Sequence, residues 1–508
     1  MFDSSRDAFD PGIKRLGAVK INSDHRLQRE RTLVGMEELG DLSVYELSEL
    51  LRRREVSPVA LVTQVLNRID EQNERRHAFV SVTRERALAE AAVAERELAA
   101  GSVRGPLHGI PYAAKDLFDV AGEVTGAGTR LLAGNVAAND ASVVRRLHDA
   151  GMVLVGKTHT VQFAFGGVGI NHDTGTPRNP WRDDEPYVPG GSSSGSAVAV
   201  AAGLVPVALG TDTSGSVRVP ASLCGVTGLK TTVGRVSRAG VYPLSATLDS
   251  VGPLARTVAD CALVYEAIQG ADSADPTTVG QTAHDVRSTI DGGLNGLRIA
   301  FVETMFFNGV DPEVAAAVRA AGDVLDNLGA EITSVEAPEV DEVMGGPDTR
   351  FRAWTVAAEA CVVNRRLLDE SFDELDPAVS HRMRRGFELS AVELLESYAA
   401  WRRLRASFAQ RTTGIDAFLV PSTMLPARPV AEVDASPETY ARFNAEYLRN
   451  TSIGNRLKWC GLSVPCGVTG DGLPIGLMIQ APAMREQVAI RIGHTFQQAT
   501  NWHHRRPA

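Results

Sequence analysis

The sequence predicts an α/β fold in which helices are layered on a sheet, and three stretches carry that expectation. Ser142 to Ala150 has helical patterning, Gly151 turns the chain, and Met152 to Val155 forms an apolar strand. Ser196 to Ala202 reads as a buried helix, followed by a strand over Val205 to Leu209. Leu297 to Val302 reads as a strand, and Pro312 to Leu328 as a helix that stops at Gly329. Elements alternating in this way bury their apolar faces against one another, which is the layering of α/β architecture.

The other elements follow in chain order. Residues 1–36 are polar, with Pro11-Gly12 and scattered Ser and Asp, and read as an extension or arm. Ser43 with Glu46 has the spacing of a capping box, which places Leu47, Leu50 and Leu51 on one helical face. Ser57-Pro58 is an N-cap followed by proline at the first helical position, and Leu61, Val62, Val65, Leu66 and Ile69 form the apolar stripe of that helix. Residues 84–100 are rich in Ala and Glu and end before Gly101, the signature of a helix. Gly109-Ile110-Pro111 leads into a buried strand over Tyr112-Ala113-Ala114-Lys115, with Lys115 at its end. Residues 350–410 are helical and rich in Arg and Glu, and Asp416 to Pro421 returns to the sheet as a strand.

Composition narrows the function classes. The chain has 508 residues, 44% hydrophobic and 22% charged, which is ordinary globular usage. Its net charge of −10 and the lack of a long basic stripe argue against nucleic acid and anionic membranes as partners. The short clusters Arg52-Arg53-Arg54 and Arg402-Arg403 sit in helical patterns and read as solvated faces. Cys224, Cys261, Cys361, Cys460 and Cys466 are too few and too scattered for a disulfide framework and lack zinc-ligand spacing. A reducing, cytoplasmic setting is expected. Met1 to Asn22 has no apolar core of a secretory leader, and no run of about 18 apolar residues forms a membrane span.

Two Ser/Gly clusters carry the chemistry. The first, PGGSSSGSA, contains Ser192, and the second, GTDTSGSVR, contains Ser216. Gly and Ser tolerate unusual backbone angles, so main-chain N–H groups converge on one point in such clusters. Two hydroxyls beside a donor nest suggest acyl transfer if a base is at hand, and Lys115 in GIPYAAKDLFDVAG is the candidate base. A flexible Gly/Ser linker is the plain alternative, but a linker does not run into a helix as apolar as AVAVAAGL. A phosphate-binding loop fails because no Gly-Lys-Ser/Thr follows the glycines.

Taken together with LSVYELSELLRRREVSPVALV, GTPRNPW, LDSVGPLARTVAD, CGLSVPCG and GLPIGLMIQAP, these motifs resemble the amidase signature family in kind and order along most of the chain. The resemblance implies one large α/β domain over residues 37–508, with a mixed twisted sheet flanked by helices and a variable helical region around 300–460 shaping the substrate pocket. It implies Ser216 as the nucleophile, Ser192 as a proton shuttle following a cis Gly191–Ser192 bond, and Lys115 as the base. The N–H groups of Thr213, Ser214, Gly215 and Ser216 would form the oxyanion hole, and Asp212, Arg218, Ser193 and Gly191 would support it. An exposed lysine holds its proton to a pH near 10.4, so Lys115 must be buried to serve as a base. Three positions depart from the pattern. Ser194 and Ser214 stand where glycine is usual, and Gln162 stands where glutamate is common, a position expected to be supporting structure at which the change is also expected to alter pocket polarity. Asp116 is expected to orient backbone, and His108 and His159 to be structural.

The function expected on this resemblance is a cofactor-free, metal-free amidohydrolase acting on non-peptide C–N bonds of a small molecule. Amides, anilides, carbamates and urea-like substrates all remain open, because one acyl chemistry opens them all. The alternative is the glutaminase-type subunit of a tRNA-dependent amidotransferase; a catalytically silent binding protein is the third class. Assembly is left open, with a homodimer the commonest case.

Overall fold

Short segments rich in Val, Ala, Leu and Gly supply the strands. In chain order they are Phe79–Val82 (β1), Pro111–Lys115 (β2), Val153–Thr158 (β3), Val207–Asp212 (β4), Thr227–Lys230 (β5), Ser250–Ala255 (β6), Arg298–Val302 (β7), Glu331–Val335 (β8), Ala417–Pro421 (β9), Cys460–Val468 (β10) and Pro474–Ala481 (β11). The computed structural model describes residue 40, residues 42–345 and residues 350–507, with the side chains of 350–353 excepted. The extension expected over 1–36 lies outside these residues. The eleven strands form one sheet in the order β1-β3-β2-β4-β6-β5-β10-β11-β9-β7-β8. It is mixed, as expected: β2 runs parallel to both β3 and β4, β7 runs parallel to β8 and β9, and the remaining pairs are antiparallel.

The parallel centre explains the sequence pattern. Every residue of β2 and of β4 is buried, so these strands read as continuous runs rather than as alternating faces. The helix Pro58–Arg76 buries Leu61, Val62, Val65, Leu66 and Ile69, and its stripe joins the helix Ser194–Ala201 in one core under the first half of the sheet. A second core lies under β9 and β10, where the Phe418 and Trp459 rings stack at 5.0 Å and Phe408 packs against both. The described residues belong to the unit Gly40–Ala508. Among them, no helix is long and apolar enough to cross a membrane.

The capping box stands as expected: Glu46 N–H donates to Ser43 Oγ (3.2 Å) and Ser43 N–H to Glu46 Oε2 (2.8 Å). Leu50 is only half-buried, since Val44, Leu47 and Leu51 take the inner face of the helix Val44–Arg52. The strand expected over 205–209 is displaced to Val207–Asp212. Pro206 offers no N–H to a ladder, whereas Gly210, Thr211 and Asp212 pair with Gly252, Val251 and Ser250 of β6. The hairpin of β10 and β11 has no clear sequence signal. Pro465 and three glycines interrupt its apolar pattern, and the pairing register shifts between Pro465 and Gly467.

Candidate active site

Because β2 and β4 are parallel neighbours, their C-terminal ends open at the same edge of the sheet. Lys115 ends β2, and Asp212 ends β4 just before the loop that holds Ser216. The loop holding Ser192 enters the helix Ser194–Ala201, and the Ser216 loop enters the helix Arg218–Cys224.

Lys115 is fully buried. Its Nζ donates to Ser192 Oγ at 2.7 Å and to Thr211 Oγ1 at 2.8 Å. Burial lowers its pKa from 10.5 to about 7, against the opposing pull of the Asp249 and Asp212 carboxylates. The Gly191–Ser192 peptide bond is cis. Ser193 pins the first loop to its surroundings: its N–H donates to the Ser216 carbonyl (3.1 Å), and its Oγ donates to Thr211 O (3.2 Å) and accepts from Thr211 N–H (3.3 Å). The two serine loops are therefore bonded to each other and to β4. Ser194 Oγ is buried and, among the described residues, unpartnered.

Ser216 shares the wall of a cavity of about 370 Å3 with Thr213 and Ser214. Lys115 and Ser192 are buried and are not part of that wall. Of the four N–H groups expected to form an oxyanion hole, Gly215 is a correction: its N–H donates to Asp212 Oδ1 at 2.8 Å and is committed inside the protein. Among the described residues, the N–H groups of Thr213, Ser214 and Ser216 make no hydrogen bond. Gly215 instead serves the backbone turn. Its φ is 137°, and a Cβ there would stand 2.1 Å from Thr451 Oγ1, so a larger residue would break this contact.

Asp212 organises the loop. Arg218 donates to both its oxygens (3.0 Å each), Asn455 Nδ2 to Oδ1 (2.9 Å) and Val217 N–H to Oδ2 (3.2 Å). Burial alone would raise its pKa, but the Arg218 charge and these hydrogen bonds hold it at about 2. Asn455 and Thr451 come from the helix Pro437–Arg456, and Thr451 Oγ1 donates to Ser214 O at 2.6 Å, bracing the loop from the far side. Asp249 accepts from Thr213 Oγ1 and from the N–H groups of Leu244 and Ser245. Sequence reasoning missed Thr211, Asp249, Thr451 and Asn455. Thr211 had a signal, as the neighbour of Asp212 on a strand beside β2; Thr451 and Asn455 lie more than 200 residues from their partners and had none.

The remaining candidates fall outside the cavity. Asp116 accepts from Gly126 N–H and pairs with buried Lys157 at 2.7 Å, so it orients backbone as expected, with a cation the sequence did not reveal. Gln162 supports structure, as expected, since its Oε1 accepts from Asp376 N–H (3.1 Å) and joins two loops; it does not line the cavity, which corrects the expected effect on pocket polarity. His108 is buried against Glu97 at 3.0 Å, and His159 is buried edge-on to His77.

A family model described as Amidase matches residues 60–489. A 2-amino-5-chloromuconic acid deaminase of Comamonas testosteroni is 37% identical over 456 residues, covering 89% of this chain and 94% of that protein. The A subunit of a glutamyl-tRNA(Gln) amidotransferase from Chromohalobacter salexigens is 37% identical over 496 residues, covering 92% and 98%. The structure of a peptide amidase from Stenotrophomonas maltophilia superposes with a TM-score of 0.81 at 31% identity, covering 93% of this chain and 99% of that one.

Proposed function

Since this chain belongs to the amidase signature family, we propose that it hydrolyses a carboxamide-type C–N bond of a small substrate through Ser216, Ser192 and Lys115. The observation that carries this reading is the 2.7 Å contact between Ser192 Oγ and a buried Lys115 whose pKa is lowered to about 7. A lysine of that kind is neutral in part at pH 7 and accepts a proton that an exposed lysine would refuse.

In this reading Lys115 takes the Ser192 proton while Ser192 takes the Ser216 proton, and Ser216 Oγ attacks the carbonyl carbon. Charge collects on the carbonyl oxygen, which accepts from the N–H groups of Thr213, Ser214 and Ser216; losing one such donor typically costs about 10²–10³ in rate. The tetrahedral centre then collapses, the C–N bond breaks, and the proton returns through Ser192 to the leaving nitrogen. Water attacks the acyl ester by the same relay, releasing the acid and restoring Ser216. Asp212, held as a carboxylate by Arg218, keeps the loop in shape without taking part in proton transfer.

The acyl and leaving groups are not specified by the relay, and amides, anilides, carbamates and urea-like compounds all meet its requirements. Restriction to non-peptide bonds is part of the proposal. A second reading, the glutaminase-type component of an amidotransferase, draws on the relative that this chain covers almost end to end. The test is amine or ammonia release by wild type and Ser216→Ala on an aliphatic amide, an anilide, an aryl carbamate, biuret, glutamine and a C-terminal peptide amide. Turnover of a small-molecule class that falls by at least about 10³ in the variant is expected. Feeble turnover of glutamine alone would favour the amidotransferase reading, and turnover that survives Ser216→Ala would overturn both.

A further inference from the structure

Among the described residues, the cavity that Ser216 lines carries Arg382 and Arg449 on its wall, with one carboxylate, Glu446. Glu446 is already engaged, pairing with Arg442 at 3.2 Å. Arg382 donates through Nη2 to Phe165 O (2.6 Å) and through Nε to Ala378 O, and its guanidinium lies over the Phe165 and Tyr440 rings at 5.1 and 5.4 Å. Among the described residues no carboxylate pairs with it, and Nη1 makes no hydrogen bond. The acid at the start of its own helix, Asp376, is taken by His172 and by Ala378 N–H. Arg449 likewise spends its donors on neutral oxygens: Phe306 O (3.1 Å), Asn308 O and Asn450 Oδ1 (3.0 Å).

Hydrogen bonds to carbonyls occupy some of a guanidinium's donors but bring no counter-charge into contact, and Asp376 and Glu446 act on these two arginines without pairing with them. In a partly desolvated cavity an unpaired cation is costly, and an anion that enters supplies the missing partner. Burial lowers the pKa of Arg382 against the pull of Tyr440 and of Asp376, and lowers that of Arg449 to about 10 against the pull of Glu446; a guanidinium so placed stays charged at neutral pH. The free Nη1 of Arg382, beside Nη2 with its second N–H, offers a planar fork that matches the two oxygens of a carboxylate, while Arg449 adds its charge. The rest of the wall, with Met305, Met344 and Met424, is apolar and adaptable and suits the chain that would link such a carboxylate to the scissile amide.

We propose that the substrate is an amide that also bears a carboxylate, docked by Arg382 and Arg449 in the cavity where Ser216 attacks. The proposal rests on the reading of Ser216 as nucleophile for its chemistry, but its binding prediction does not require turnover. The test is calorimetric titration of the Ser216→Ala protein with half-amides of dicarboxylic acids (succinamate, adipamate) and with the matching neutral amides (butanamide, hexanamide). At least one half-amide should bind about tenfold or more tightly than its neutral partner, the worth of one charge-assisted hydrogen-bonded contact, and the gap should narrow with added salt. Arg382→Gln and Arg449→Gln should each cut that discrimination at least about threefold, with Arg382→Lys intermediate because it keeps the charge and loses the fork. Equal binding of charged and neutral members, no binding of any half-amide, or discrimination that survives both Gln variants overturns the proposal. A binding preference without wild-type turnover would support it while removing the reading of Ser216.

Discussion

Lys115 is held with its Nζ between two hydroxyls in a fully buried place, and this position sets two opposing demands. A buried ammonium is unfavourable, which is what makes the side chain a base and also what makes it a burden on the fold. Its folded pKa of about 7 lies below the ordinary 10.5, so between these pH values the unfolded chain holds a proton that the folded protein lacks. Stability from this group therefore rises with pH across that window and is lowest at and below about 7. Lys115→Met removes the titration. Its melting temperature relative to wild type should be higher at pH 7 than at pH 10, while activity falls by about 10²–10⁴ at both. A melting difference that does not change with pH would show that Lys115 is not desolvated in the way described.

At the scale of elements, the site depends on loops tied to one another rather than on any single helix. Asp212 ties the Ser216 loop to the helix Pro437–Arg456 through Asn455, and Ser193 ties the Ser192 loop to β4. A third tie joins the segments leading into two helices: His172 sits between Asp376 and Asp434, with Nδ1 and Nε2 each 2.9 Å from a carboxylate. Its bonds to Asp376 outweigh burial and, with Asp434, raise its pKa from 6.5 to about 9. The sign is the reverse of that for Lys115: this contribution is full below about 6.5 and is lost as pH rises through about 9. Because the imidazole and Asp434 are partly exposed, solvent screening keeps the contribution small. His172→Gln should lower the melting temperature at pH 6 and leave it nearly unchanged at pH 10; an equal drop at both would make the tie one of packing alone.

For the whole molecule, local signals told most of the architecture. The parallel strands β2, β3 and β4 were legible because burial on both faces leaves continuous apolar runs, and the helix Pro58–Arg76 because its cap, proline and stripe agree. Motifs marked Lys115, Ser192 and Ser216 as candidates; Lys115 ends β2, β4 leads through Asp212 into the loop of Ser216, and Ser192 precedes the helix Ser194–Ala201. What stayed hidden is non-local. The β10–β11 hairpin hides behind glycines and Pro465, and Asn455, Thr451 and Arg382 reach the site from helices whose sequence shows only ordinary surface and core patterning. The commitment of the Gly215 N–H to Asp212 is a matter of backbone orientation, which residue identity does not encode.

A fluorophosphonate probe tests the activation of Ser216 through Ser192 by Lys115 whatever the substrate. The serine oxygen displaces fluoride at phosphorus and leaves a covalent adduct that peptide mass spectrometry locates. A single adduct on Ser216 is expected, forming at a rate that rises with pH through about 7 as Lys115 loses its proton. Labelling should be absent in Ser216→Ala and slowed by at least about 10² in Lys115→Met. An adduct on another residue, or a Ser216 labelling rate that Lys115→Met leaves unchanged, would contradict the relay.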